Sequence, residues 1–224
     1  MGSADEAIIL VVVRHGETDW NLEGRIQGQL DDEVALNARG LAQAEAVAER
    51  LRECPADIIL ASDLRRARET ARAVAAATGL EVRCSELLRE RGLGCFERLN
   101  MAEIRERLPG ALEAYAADRW DYRPEGGETR RDLWERSGIA IEWCFAEAAE
   151  TPRRTAIVVT HGGVVQSAVP RLMGHAAGVE PNIRIDNCSV TVLARTQDHT
   201  SVRLANDSNH SSSRRKGDAH WVLR

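Results

Sequence analysis

Two apolar runs in this chain, Ile8-Ile9-Leu10-Val11-Val12-Val13 and Ala156-Ile157-Val158-Val159, both lead into a histidine followed by glycine. The first continues as Arg14-His15-Gly16-Glu17, the second as Thr160-His161-Gly162-Gly163. A short, continuous β-branched run is the pattern of a strand buried on both faces, as in a parallel sheet. Strand ends that open on a cleft are where α/β folds carry their chemistry. Two histidines at two such ends predict one site.

The segments between these runs complete an α/β pattern. Leu41, Ala44, Val47, Ala48 and Leu51 fall at helical spacing after Asn37, a good N-cap, and Cys54-Pro55 closes that helix. Asp57 to Ala61 reads as a strand, Asp63 opens a helix that stops at Gly79, and Val82 to Cys84 as another short strand. A long amphipathic helix is expected over Asp132 to Ala149, with Leu133, Ile139, Trp143 and Ala146 as its core side. After the second apolar run come a helix from Val164 to Met173 with Pro170 inside it, and strands near 189–195 and 201–205. The expected fold is a three-layer α/β/α sandwich with a mostly parallel central sheet and its site at the C-terminal ends of the strands. Residues 1–208 are expected to form one domain, with 87–130, too long for a simple connection, as an inserted substrate or lid segment. The polar stretch 209–224 is expected to be a flexible tail.

Composition removes several classes of function. The formal net charge of −5 argues against nucleic acid or an anionic membrane as partner, so an anion site must be a local basic pocket. No apolar stretch approaches the roughly 20 residues of a membrane span, and no signal peptide is read, which points to the cytoplasm. The five cysteines are dispersed without a C-x-x-C pair, the pattern of reduced thiols rather than of a disulfide framework or zinc ribbon. Lys216 is the only lysine, which by itself says nothing about a site.

Three strand ends carry polar clusters: Arg14-His15-Gly16, Ser62-Asp63-Leu64-Arg65-Arg66 and Thr160-His161-Gly162-Gly163. In a parallel sheet these ends share one edge, so two histidines and at least two arginines converge in an oxyanion pocket. Guanidinium forks suit phosphate oxygens, and glycines let main-chain N–H groups approach the same anion. The helix after Ser62 would add its positive N-terminal end. Cationic surroundings should lower a histidine's pKa and leave one ring nitrogen free as nucleophile. Phosphoryl transfer to imidazole splits one hard displacement into two easier ones, and it needs an acid for the departing alkoxide. Glu17, Glu90 and Glu128 are candidates that spacing does not rank.

Arg14-His15-Gly16-Glu17-Thr18-Asp19-Trp20-Asn21 with Gly24-Arg25-Ile26-Gln27-Gly28 resembles the signature of the histidine phosphatase superfamily, in its phosphoglycerate-mutase-like branch. Ser62 to Thr70, Leu88-Arg89-Glu90, Pro124-Glu125-Gly126-Gly127-Glu128-Thr129 and Thr160-His161-Gly162-Gly163 match its later blocks in order. The resemblance implies that His15 becomes phosphohistidine while Arg14, Arg66 and His161 hold the phosphoryl oxygens. It implies Arg66 rather than Arg65, and Glu90 as general acid and base. Asn21 and Gln27 match polar positions lining the pocket, and the N–H of Gly162 would add a donor. Gly162 after the second histidine, in place of aspartate, sides with the mutase-like branch. No metal and no cofactor are implied.

The resemblance leaves three activities open. A phosphatase acting on a small phosphorylated metabolite, such as a sugar phosphate or a phosphoglycerate-type ester, leads. A phosphoglycerate-type mutase follows: Arg91 after Glu90 is similar to the mutases, but their basic, proline-rich substrate segment has no counterpart between Leu93 and Pro124. A non-catalytic phospho-ligand or partner-binding protein is third, although all the expected groups are present. Two departures border the substrate region: Gly94-Cys95-Phe96-Glu97-Arg98 replaces Gly-x-Trp-Glu-Gly, and Asp31 to Asn37 replaces Pro-Leu-Thr. His175, His199, His210 and His220 match nothing and read as solvated, as do Arg65 and Arg68 on a helix face. The edge strand near 189–195 is open to a homodimer contact.

Overall fold

Strand β1 (Ile8–Arg14) lies parallel to β4 (Thr155–Thr160), in register from Ile9 opposite Thr155 to Arg14 opposite Thr160. This pairing brings the two histidine-bearing strand ends side by side. β2 (Ile58–Ser62) continues the parallel sheet on the far side of β4, and β3 (Val82–Ser85) on the far side of β2. On the other flank β5 (Val190–Arg195) runs antiparallel to β1, and β6 (Thr200–Asp207) antiparallel to β5, so the strand expected near 189–195 is paired on both sides and β6, not it, is the sheet edge. The order β3-β2-β4-β1-β5-β6 is the mostly parallel sheet that the apolar runs predict. The computed structural model from which this comes describes residues 7–179 and 183–210. The expected tail from 211 onward and His220 lie outside the described residues.

Alternation along the central strands sorts the core into two halves. Leu10, Val12, Leu60, Ala156 and Val158 face the helices α6 (Arg130–Ala149) and α7 (Gly162–Leu172). Val11, Val13, Ile59, Ala61, Ile157 and Val159 face α2 (Ala38–Leu51) and α3 (Arg65–Thr78). With both faces covered, the strands can be apolar throughout, and the three layers follow. Asn37 caps α2 through the N–H of Gly40, and Gly79 ends α3 at φ 72°.

Two local expectations are corrected. The buried stripe of α6 is Leu133, Trp134, Ser137, Gly138, Ala140, Ile141, Cys144, Phe145 and Ala148, whereas Ile139 is 60% exposed and Ala146 also faces outward. The true stripe passes through Ser137 and Gly138, small residues that apolarity alone does not mark. A Cβ on Gly138 would stand 2.4 Å from Arg171 Nε, so close packing of α7 selects the small face. The second correction concerns α3. Its N-terminal N–H, that of Arg65, donates to the Asp31 carboxylate, and Asp63 instead pairs with Arg89. The Arg65 N–H at the start of α3 is therefore taken by Asp31.

The 87–130 segment holds α4 (Met101–Arg107) and α5 (Ala111–Ala117). Aromatic contacts fasten it: Phe96 stacks on Tyr122, Tyr122 meets Tyr115 edge-on, and Trp120 meets Trp134 of α6 at 5.8 Å. The two segments that depart from the family pattern touch each other here. Arg98 forks onto Glu33 with contacts of 2.5 and 3.1 Å.

Candidate active site

Backbone pairing fixes His15 at the mouth of the sheet. Its N–H donates to Thr160 O at 2.9 Å, and its carbonyl accepts from Asn187 Nδ2 at 3.0 Å. The loop after it is pressed against the start of α2: a Cβ on Gly16 would sit 2.5 Å from Gly40 O, and one on Gly40 2.0 Å from Glu17 O. Gly16 N donates to Thr70 Oγ1, whose hydroxyl donates in turn to Arg66 O.

The ring of His15 is buried, and its Nδ1 lies 2.7 Å from the carbonyl oxygen of Gly16. A carbonyl only accepts, so Nδ1 carries the hydrogen and the lone pair stands on Nε2. His161 is fully buried, with its ring centroid 5.1 Å from that of His15. Its Nε2 meets Ser62 Oγ at 2.8 Å. Burial, followed by the charges of Arg14 and Arg66, pushes the His15 pKa well below its ordinary value, against a smaller lift from Gly16. For His161 the causes are burial, then the charge of Arg66. Both rings are neutral at physiological pH.

Two guanidiniums flank the pair. Arg14 is anchored by Nη1 to Ile185 O at 2.6 Å, and Arg66, 1% exposed, by its two Nη atoms to Leu30 O and Gly28 O. Burial lowers the Arg66 pKa to about 10, against the raising charges of Glu90 and Asp31. Arg14 Nε, Arg66 Nε and His161 Nδ1 are buried without a hydrogen-bond partner. Leaving such groups unpaired costs about 1–3 kcal/mol each, a cost that an anion with several oxygens would offset. Gln27 Oε1 is in the same condition, next to Gly28. A Cβ on Gly162 would lie 3.5 Å from Arg14 Nε, so the start of α7 borders the same pocket.

The three candidate carboxylates are now distinguished by position. Glu17 turns to Asn37 and Arg39, and Glu128 is held by Arg136 and by the N–H of Gly92. Glu90 accepts from Gly163 N at 3.0 Å and from Arg91 N at 2.8 Å, at the edge of the pocket. A Cβ on Gly163 would stand 2.1 Å from Glu90 Oε1, which explains the second glycine after His161. A cleft of about 290 Å³ opens beside Glu90, lined by Arg91, Tyr115, Arg130, Gln166 and Ser167.

Other residues fall differently from their sequence reading. Asn21 Oδ1 is engaged by Thr18, in the cap of the short helix α1 (Asp19–Leu22), and by Asn187 Nδ2 at 3.3 Å. It reaches His15 through Asn187, a residue that no motif marks. His210 is not solvated: it lies 2.8 Å from Cys188 O and 2.9 Å from Arg50 Nη1, held by the turn that ends β6. Arg65 pairs with Glu69, and Arg68 with Asp31. His175 and His199 are exposed, as the sequence reading expects. Among the described residues no group of three or more His, Cys, Asp or Glu side chains is placed to hold a metal ion, and no helix is long and apolar enough to cross a membrane.

A family model described as histidine phosphatase superfamily (branch 1) matches residues 10–208. Over 187 residues the chain is 43% identical to phosphoglycerate mutase-like protein 4 of Arabidopsis thaliana, covering 82% of this chain and 78% of the relative. It is 40% identical over 169 residues to glucosyl-3-phosphoglycerate phosphatase of Mycobacterium tuberculosis, covering 73% and 74%. A solved structure of mycobacterial glucosyl-3-phosphoglycerate phosphatase with VO3 superposes with a TM-score of 0.77 at 35% identity, covering 88% of this chain and 98% of that one. The α-ribazole phosphatase of Shigella flexneri gives a TM-score of 0.81 at 26% identity, covering 89% and 96%.

Proposed function

The chain belongs to the histidine phosphatase superfamily, branch 1, and on that premise we propose that it hydrolyses a small phosphomonoester through a phosphohistidine at His15. One observation carries this reading. The buried Nε donors of Arg14 and Arg66 and the buried Nδ1 of His161, all without a partner, belong to the groups beside a histidine whose lone pair is on Nε2.

In the first step His15 Nε2 attacks phosphorus, the N–P bond forms and the P–O bond to the alcohol breaks. The charge that builds on the equatorial oxygens meets the Arg14 and Arg66 forks and His161, donors already in position. Glu90 gives its proton to the departing oxygen, an assistance typically worth about 10²–10⁴ in rate. In the second step Glu90 takes a proton from water, whose oxygen attacks phosphorus. The N–P bond breaks, inorganic phosphate leaves, and His15 returns to its neutral form.

The leading substrate class is a sugar phosphate or a phosphoglycerate-type metabolite. Arg91 supports an anionic or polar group on the alcohol portion: it lines the cleft beside Glu90, and its Nη1 is buried without a partner. The mycobacterial relative, named for glucosyl-3-phosphoglycerate, supports the same class. The test is phosphate release across a panel of sugar phosphates, phosphoglycerates and glucosyl-3-phosphoglycerate, run beside an isomerisation assay. Release that outpaces isomerisation, with the best kcat/KM for an ester bearing a carboxylate, is the expected result. Isomerisation of phosphoglycerate faster than phosphate release would assign the mutase activity instead.

A further inference from the structure

Arg136 of α6 touches neither histidine nor the pocket arginines, yet each of its five N–H donors is used. Nε donates to Glu128 Oε1 at 2.9 Å, and Nη2 to Glu128 Oε2 at 2.8 Å. Nη1 donates to Leu87 O at 3.0 Å and Arg89 O at 2.6 Å, and Nη2 also to Glu90 O at 3.0 Å. Three carbonyls from four consecutive residues thus converge on one guanidinium. Glu128 closes the ring by accepting from Gly92 N at 2.8 Å, beyond Glu90, and Gln29 Nε2 donates to Glu90 O at 3.0 Å.

We infer that Arg136, with Glu128 as its counter-ion, is the positioning residue for Glu90, clamping the backbone on both sides of the acid so that its carboxyl meets the leaving oxygen. The segment needs such a clamp because residues 89–93 belong to no helix or strand and make no ladder of their own. With its carbonyls turned toward Arg136, the segment sends the Glu90 side chain the other way, onto Gly163 N. Lysine cannot replace this arrangement, since a single ammonium has three donors and no planar fork. It does keep the positive charge that helps to lower the His161 pKa, so the exchange isolates geometry from electrostatics.

The inference rests on the reading of Glu90 as the acid, and leaving-group dependence separates the two. A first-turnover experiment compares p-nitrophenyl phosphate, whose phenolate leaves unaided, with an alkyl ester, glycerol phosphate, whose alkoxide needs the proton. Alcohol release is followed in wild type, Glu90→Gln, Arg136→Lys and Glu128→Gln. Glu128→Gln keeps side-chain size and serves if Arg136→Lys fails to fold.

Arg136→Lys and Glu128→Gln are expected to slow release from the alkyl ester about 10- to 100-fold, the scale of misplacing a catalytic group by an ångström. Release of p-nitrophenolate should change less than about threefold, the same selectivity that Glu90→Gln shows more strongly. If Glu90→Gln is selective but the two clamp variants slow both esters alike, or neither, the positioning role is overturned and Glu90 remains the acid. If Glu90→Gln is itself unselective, the acid assignment falls, and the inference with it.

Discussion

The Nδ1–H of His15 points at the carbonyl of the next residue, Gly16, 2.7 Å away, and in the proposed mechanism this contact decides which nitrogen attacks phosphorus. The neighbouring arginines add their charge to burial, so the ring is neutral as well as oriented.

This neutrality appears as a pH dependence of stability. His15 and His161 both have pKa values well below 6.5 in the folded chain. As pH falls through that value the unfolded chain takes up a proton at each histidine and the folded chain does not. Stability is therefore lost on the acid side, by about 1.4 kcal/mol per pH unit for each ring. Urea unfolding at pH 7.5 and 5.5 should show wild type losing about 3 kcal/mol more than a His15→Gln, His161→Gln double variant. Equal losses would mean that the rings titrate normally.

Arg66 holds the loop and, in the proposed mechanism, the phosphoryl group as well, so its removal should be felt twice. Arg66→Ala leaves the Gly28 and Leu30 carbonyls without their donor and deprives the pocket of one fork. The expected loss is about 1–3 kcal/mol in stability and roughly 10²–10³ in kcat/KM. Thermal unfolding with and without vanadate checks both, because the variant should also lose most of the ligand-induced rise in Tm.

Gly163→Ala tests how closely Glu90 approaches α7. The added methyl would fall 2.1 Å from Glu90 Oε1, so the carboxyl must move while the helix, which favours alanine, persists. Activity on an alkyl phosphate should drop about 10- to 100-fold with Tm little changed. Full activity would show that the Glu90 carboxyl is free to act from another position.

The central strands were legible because Ile8 to Val13 and Ala156 to Val159 are apolar without interruption, and the sheet buries them on both faces. The strand-end histidines followed from the same runs. The partners of those histidines were not legible. Ser62 lies 99 positions from His161 and Asn187 lies 172 from His15, so only the parallel pairing of β1, β4 and β2 and the return of β5 bring them together. The buried face of α6 was misread because it includes Ser137 and Gly138, which are selected by close packing against α7 rather than by apolarity. His210 was misread for a related reason: its partners Cys188 and Arg50 come from distant parts of the chain.

The central claim is that the phosphoryl group rests on His15 Nε2 between the two steps. Rapid quenching of the enzyme with a ³²P-labelled phosphomonoester, followed by peptide mapping under alkaline conditions, tests it directly. The account predicts a base-stable, acid-labile label on the peptide containing His15, formed and discharged at rates compatible with turnover, and absent from His15→Ala. Label on another residue, or undiminished turnover by His15→Ala, would contradict it.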